Sequence, residues 1–107
     1  MTTIAKGRNI ITLINVFTVE PENQQRLLDL LIEATETVVK SQPGYISANF
    51  HKSLDGVRVT NYAQWQSREA YETAFRNPEV LAHTQKALEF ASADYHLYEV
   101  SYVDEAH

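Results

Sequence analysis

A chain of 107 residues with 9 lysines and arginines against 14 aspartates and glutamates has a formal charge of −5 and holds one domain's worth of core. The lack of cysteine excludes a disulfide framework, a thiolate nucleophile, a zinc ribbon and a cysteine-ligated iron–sulfur cluster. The acidic balance lacks the basic footprint that nucleic acid requires, and no apolar run approaches the roughly 20 residues of a membrane span. The expectation is a cytoplasmic protein of one domain, residues 1–107 with an ordered core over about residues 10–103, and with neither nucleic acid nor membrane as partner.

Residues 10–19 are rich in β-branched and aromatic types and read as a strand. Glu20, Pro21 and Glu22 then start a helix, with proline in the first turn and acids at the positive end of its dipole. Leu27, Leu28, Leu31, Ile32, Thr35, Val38 and Val39 recur at helical spacing and form its apolar face. Pro43 and Gly44 end the helix. Two strand-like runs follow, residues 45–54 and 57–66, and Asp55-Gly56 between them predicts a two-residue type I′ hairpin. Ser67 reads as the cap of a second helix carrying Ala70, Tyr71, Ala74 and Phe75, which Asn77-Pro78 breaks in two before it continues to about Phe90. Residues 95–103 read as the last strand. The order β-α-β-β-α-β predicts a ferredoxin-like α+β fold with an antiparallel sheet.

The hairpin fixes which residues share a face, because pairing Leu54 with Val57 sets every other pair. Ile46, Ala48, Phe50, Lys52 and Leu54 fall with Val57, Val59, Asn61, Ala63 and Trp65 on the apolar side, under the helices. Tyr45, Ser47, Asn49, His51 and Ser53 fall on the other. Both faces of the first strand are apolar, with Ile10, Ile14 and Val16 on one and Ile11, Leu13, Phe17 and Val19 on the other, and Tyr98, Val100 and Tyr102 share a face of the last. One helical layer covers a single face, so the remainder points to a second copy.

Asn61 places an amide in the middle of the helix-covered face, where a buried amide needs a partner. Trp65 lies on the same face, and Tyr71 sits one turn into the following helix beside Ala70 and Ala74. The set describes either a pocket with three polar handles or a core aromatic pair with a structural asparagine. Asn15, mid-strand, raises the same question. His83 reads as a base, an axial ligand or a partly exposed helix histidine. The four histidines show no metal-ligand spacing, and no nucleophile elbow or phosphate loop is present, so hydrolase and metalloenzyme chemistry have no support.

The block Val59-Thr60-Asn61-Tyr62-Ala63-Gln64-Trp65, followed by Ser67, Glu69, Ala70 and Tyr71, resembles the signature of the antibiotic biosynthesis monooxygenase family. Pro43-Gly44-Tyr45, Ser47-Ala48, His51 and Asp55-Gly56 are also similar, and the resemblance runs from about Ile10 to Tyr102. It implies a homodimer whose sheets pack into an α+β barrel, with a cavity in each subunit between sheet and helices. It further implies oxidation of a small aromatic, polyketide or quinol-like substrate by O2 without flavin, haem or metal. Residues matching Asn61, Trp65 and Tyr71 would be catalytic, Tyr71 as proton relay and Asn61 with Trp65 holding an oxyanion. Asn15, Phe50, Phe75, His83 and Gln85 are expected to bind substrate, Gln85 standing where the polyketide enzymes place an arginine. Two alternatives remain within this reading. One is a haem-degrading monooxygenase of the same superfamily, suggested by Asn15 and His83 but opposed by Ala74 in place of a helix tryptophan. The other is a non-catalytic dimeric protein that binds a small ligand.

Overall fold

The computed structural model describes residues 3–4 and 9–106. Among them the chain forms one antiparallel sheet of four strands in the order β2-β3-β1-β4, with helices packed on one face. The strands are β1 (Ile11–Val19), β2 (Tyr45–Lys52), β3 (Arg58–Trp65) and β4 (Ala91–Tyr98). The helices are α1 (Gln24–Thr37), α2 (Arg68–Ala74) and α3 (Pro78–Leu88). This is the expected ferredoxin-like α+β fold, with the second helix divided at Asn77.

The Ser67 cap forms as expected, and Asn77 caps the helix that restarts at Pro78. Ser67 Oγ accepts from the Ala70 amide at 3.0 Å, and Asn77 Oδ1 accepts from the Glu79 amide at 2.8 Å. Asn77 has an extended backbone, and Pro78 behind it supplies a fixed φ for a fresh helix start. Helix α1 buries Leu27 and Ala34, with Val38 buried just past its end, but Ile32, placed on its apolar face by spacing, is 42% exposed.

The hairpin register agrees with the sequence reading, pairing Phe50 with Asn61 and Lys52 with Val59. Its turn does not. Leu54 and Val57 are unpaired, and among the described non-glycine residues none has positive φ, so Asp55 does not form a type I′ turn. The Asp55 carboxylate instead accepts from Ser53 Oγ at 2.6 Å and from the Val57 amide at 3.2 Å, and Gly56 alone turns left-handed at φ 84°. Leu54, expected on the buried face, is therefore fully exposed at the loop tip. The side chain of Gln24 closes the loop against α1, donating from Nε2 to the carbonyls of Arg58 (2.9 Å) and Ser53 (3.1 Å).

Two further differences bear on the site. A bulge between Tyr45 and Ser47 puts Tyr45 opposite Trp65, so Tyr45 moves from the open face to the helix-covered one. The last strand starts four residues earlier than expected and stops at Tyr98. Ala91, Ser92 and Ala93 have weak strand propensity, yet β1 supplies partners for them up to Val19. Past Tyr98, which pairs with Thr12, the first strand is nearly spent.

The helix-covered face holds two clusters. One joins Leu13, Ala63 and Trp65 to Tyr71 and Ala74; the other joins Phe17, Val19, Leu27 and Val59 to Ala87. The opposite face carries Ile14, Val16 and Tyr62, all half-buried, with Tyr98 at its β4 edge 45% exposed. The carbonyl of Thr3 accepts from Gln64 Nε2 at one end of that face, at 2.8 Å.

Candidate active site

The gap between the two clusters is a cavity of about 80 Å³ beneath α1 and α3. Its floor is the sheet: Asn15 and Phe17 from β1, Ala48 and Phe50 from β2, Asn61, Ala63 and Trp65 from β3. Its roof carries Leu31, Ala34 and Thr35 from α1 and Val80, His83, Thr84 and Ala87 from α3, with Tyr45 and Phe75 closing one end. Asn15 and Asn61 are direct cross-strand partners, so two amides stand side by side on an otherwise apolar floor.

The polar groups divide sharply. Thr35 Oγ1 donates to the Leu31 carbonyl at 2.9 Å and Thr84 Oγ1 to the Val80 carbonyl at 3.0 Å, so both hydroxyls are spent on their own helices. Asn15 Oδ1, Asn61 Oδ1, Trp65 Nε1 and His83 Nδ1 are buried without a protein hydrogen bond. Among the described residues only Thr12 Oγ1 shares that condition, and Thr12 lies on the opposite sheet face. An unmade buried hydrogen bond costs about 1–3 kcal/mol, and four of the residues that carry one line this cavity.

Aromatic rings hold Trp65 in place. It is 1% exposed and meets Tyr45, Tyr71 and Phe75 edge-on at centroid distances of 5.6, 6.1 and 6.1 Å. Tyr71 supports Trp65 from outside. Tyr71 on α2 and Phe75 at its C-terminal cap, four residues on, approach to 4.8 Å, and Tyr71 lines a separate outer cleft with Arg68, Arg76 and Tyr95. Phe75 alone borders both spaces. Burial, then the neighbouring Tyr95 and Glu72, push the Tyr71 phenol up to about 12, so it keeps its proton at neutral pH. Tyr45 is raised as well, by burial first and by Glu36 second.

The structure thus gathers Asn15, Phe50, Asn61, Trp65, Phe75 and His83, and leaves out two expected residues. Tyr71 sits behind the Trp65–Phe75 wall instead of inside the pocket with Asn61. Gln85 is exposed, because two residues beyond His83 lie about 200° around the helix. Tyr45 is the cavity residue that the alternating pattern missed. The one hint of its bulge was Pro43-Gly44 just before it, where the chain enters β2 from a turn.

The sequence profile described as antibiotic biosynthesis monooxygenase matches residues 10–86. Tetracenomycin-F1 monooxygenase of Streptomyces glaucescens is 42% identical over 83 residues, covering 78% of this chain and 74% of that protein. The monooxygenase ActVA-Orf6 of Streptomyces coelicolor, solved with the ligand nanaomycin D, superposes with a TM-score of 0.73 at 25% identity, over 89% of this chain and 92% of that one. A mutant of SnoaB, a cofactor-independent oxygenase from Streptomyces nogalater, shares the fold with a TM-score of 0.81 at 18% identity, over 89% and 96% of the two chains. With a profile spanning most of its length and a relative at this identity, the chain belongs to the antibiotic biosynthesis monooxygenase family.

Proposed function

We propose that this chain is a cofactor-independent monooxygenase that oxidises an aromatic, polyketide-like or quinol-like substrate with O2, acting as a homodimer in the cytoplasm. One observation carries the reading: Asn15, Asn61, Trp65 and His83, each with a buried polar atom that has no protein hydrogen bond, line one largely apolar cavity. The tetracenomycin-F1 monooxygenase and the nanaomycin D complex supply the substrate class by similarity.

The chemistry suits residues that bind, orient and exclude water. An anthrone-type methylene that loses a proton becomes an electron-rich enolate, which passes electrons to O2 and forms a C–O bond. Loss of water from the resulting hydroperoxide turns CH2 into C=O. One oxygen atom stays in the product, the other leaves as water with both hydrogens, and the substrate supplies all the electrons. The protein's part is to stabilise the enolate and peroxide oxygens. The Trp65 indole N–H is a donor in place for this, and the amides of Asn15 and Asn61 each offer both a donor and an acceptor to substrate oxygens. Apolar walls strengthen those bonds by keeping water out.

At about 80 Å³ the cavity is smaller than the roughly 300 Å³ at the low end of ligand pockets, so a fused-ring substrate must displace a wall. Phe75, with the outer cleft behind it, is the wall with space to move into. The dimer reading rests on Ile14, Val16, Tyr62 and Tyr98 on the helix-free face, and sedimentation at micromolar concentration should give twice the monomer mass. The cytoplasmic assignment is consistent with the described helices, none of which is long and apolar enough to cross a membrane. The direct test is an oxygen electrode with chelator-treated protein and an anthrone or a reduced naphthoquinol. Equimolar consumption of O2 and substrate above the spontaneous rate is expected; no acceleration would remove the oxygenase assignment.

A further inference from the structure

Oxygenation of this kind starts with a proton leaving carbon, and the cavity restricts where that proton can go. Its floor carries amides, an indole and hydrocarbon, none of which is a base at neutral pH. The cavity-facing residues of α1, Leu31, Ala34 and Thr35, are uncharged. No residue of α2 itself enters, only Phe75 at its C-terminal cap. Two ionisable side chains line the space among the described residues, Tyr45 and His83. Tyr45 is a phenol held in its protonated form by burial and the nearby Glu36. Tyr71 stands outside the cavity.

We propose that His83 is the general base of the reaction. Resting on the oxygenase reading above, this assigns to one residue of α3 the proton transfers that the resemblance gave to Tyr71. The His83 ring is half-buried, with Nδ1 enclosed and free of any protein hydrogen bond, and the cavity places it opposite Asn15, Asn61 and Trp65. A neutral imidazole has one nitrogen bare as an acceptor, and an acceptor on the wall across from donors that can hold a developing oxyanion is the arrangement that enolate formation needs.

The proton balance closes on this ring. Nδ1 takes the first C–H proton, and the enolate electrons reduce O2 as the C–O bond forms. The peroxide anion then takes that proton back from the imidazolium to give a hydroperoxide. Nδ1 next takes the second C–H proton while the O–O bond breaks, and the departing hydroxide picks it up as water. The ring ends neutral. On its own helix the charged neighbours one turn away are Glu79 and Lys86, both exposed, and neither lines the cavity.

His83→Gln keeps a helix former of similar length and removes the base. It should lower kcat for anthrone oxidation about 10²-fold or more, while quenching of Trp65 fluorescence by the quinone product gives a Kd within threefold of the parent. Raising the pH until the substrate ionises unaided should close the gap between variant and parent, and added imidazole should partly restore His83→Ala. A parent that oxidises anthrone alongside a His83→Gln variant within threefold of its kcat would overturn the base assignment and leave the oxygenase reading standing. A parent that does not accelerate O2 uptake at all would remove both. Loss of quinone binding in the variant would make His83 a binding residue and refute the base.

Discussion

Trp65→Phe should lower kcat for oxygenation by about 10²-fold while leaving a folded protein. Trp65 is 1% exposed, and its indole N–H is a buried donor at the cavity with no protein acceptor. Removing a donor aimed at a developing oxyanion costs about 10²–10³ in kcat in other acyl- and oxyanion-stabilising sites. Phenylalanine preserves most of the apolar volume against Tyr45, Tyr71 and Phe75, so the destabilising loss of packing stays near 1–2 kcal/mol. It also removes an orphaned donor, which works in the opposite direction. Stopped-flow oxidation read beside a thermal melt separates the two effects. A variant that melts within a few degrees of the parent and oxidises substrate within threefold of its rate would show that the indole N–H holds no charge.

The largest stability loss is expected at Gly44→Ala. Gly44 adopts φ 86°, where an L residue pays about 1–2 kcal/mol, and a methyl group there would clash with the Cβ of Ala70 on α2. Overpacking of this kind costs a further 1–3 kcal/mol, giving about 3 kcal/mol together. For a domain of this size that corresponds to a Tm lower by on the order of 10–20 °C. Gly56→Ala is the internal control. Its φ of 84° is nearly the same, but the nearest atom to an added methyl is Pro21 Cβ at 3.9 Å, so only the backbone penalty applies. Equal melting losses in the two variants would refute the clash. The position matters for the site as well as for stability, because the Gly44 carbonyl accepts from the Gln66 amide at 2.8 Å. That bond ties the start of β2 to the end of β3, where Tyr45 and Trp65 meet.

The architecture was legible in the sequence because its signals are local and periodic: Ser67 and Asn77-Pro78 mark helix starts by side-chain chemistry, and Asp55-Gly56 fixes a register that Phe50↔Asn61 reproduces. The same register put Asn61 and Trp65 on one face, which is the floor of the cavity. What stayed hidden depends on partners distant in sequence. Asn15 could not be assigned a face from a strand apolar on both sides; β3 settles it by pairing Asn15 with Asn61. Ala91, Ser92 and Ala93 become strand because β1 offers hydrogen bonds, which outweighs their weak propensity. Tyr45 changed faces through one bulged residue. Tyr71 was near the right rings and on the wrong side of them, since sequence spacing sets a turn of α2 but not which side of Phe75 the phenol occupies.

In the proposed function an aromatic ligand occupies the cavity and takes a hydrogen bond from Trp65. The chain has one tryptophan, so an ¹⁵N-labelled sample gives a single indole N–H resonance to follow. Titration with an anthraquinone or naphthoquinone product should move that resonance saturably downfield, together with the side-chain amide signals of Asn15 and Asn61. An indole resonance that stays fixed while amides around Arg68, Arg76 and Tyr95 shift would place the ligand in the outer cleft and contradict the account.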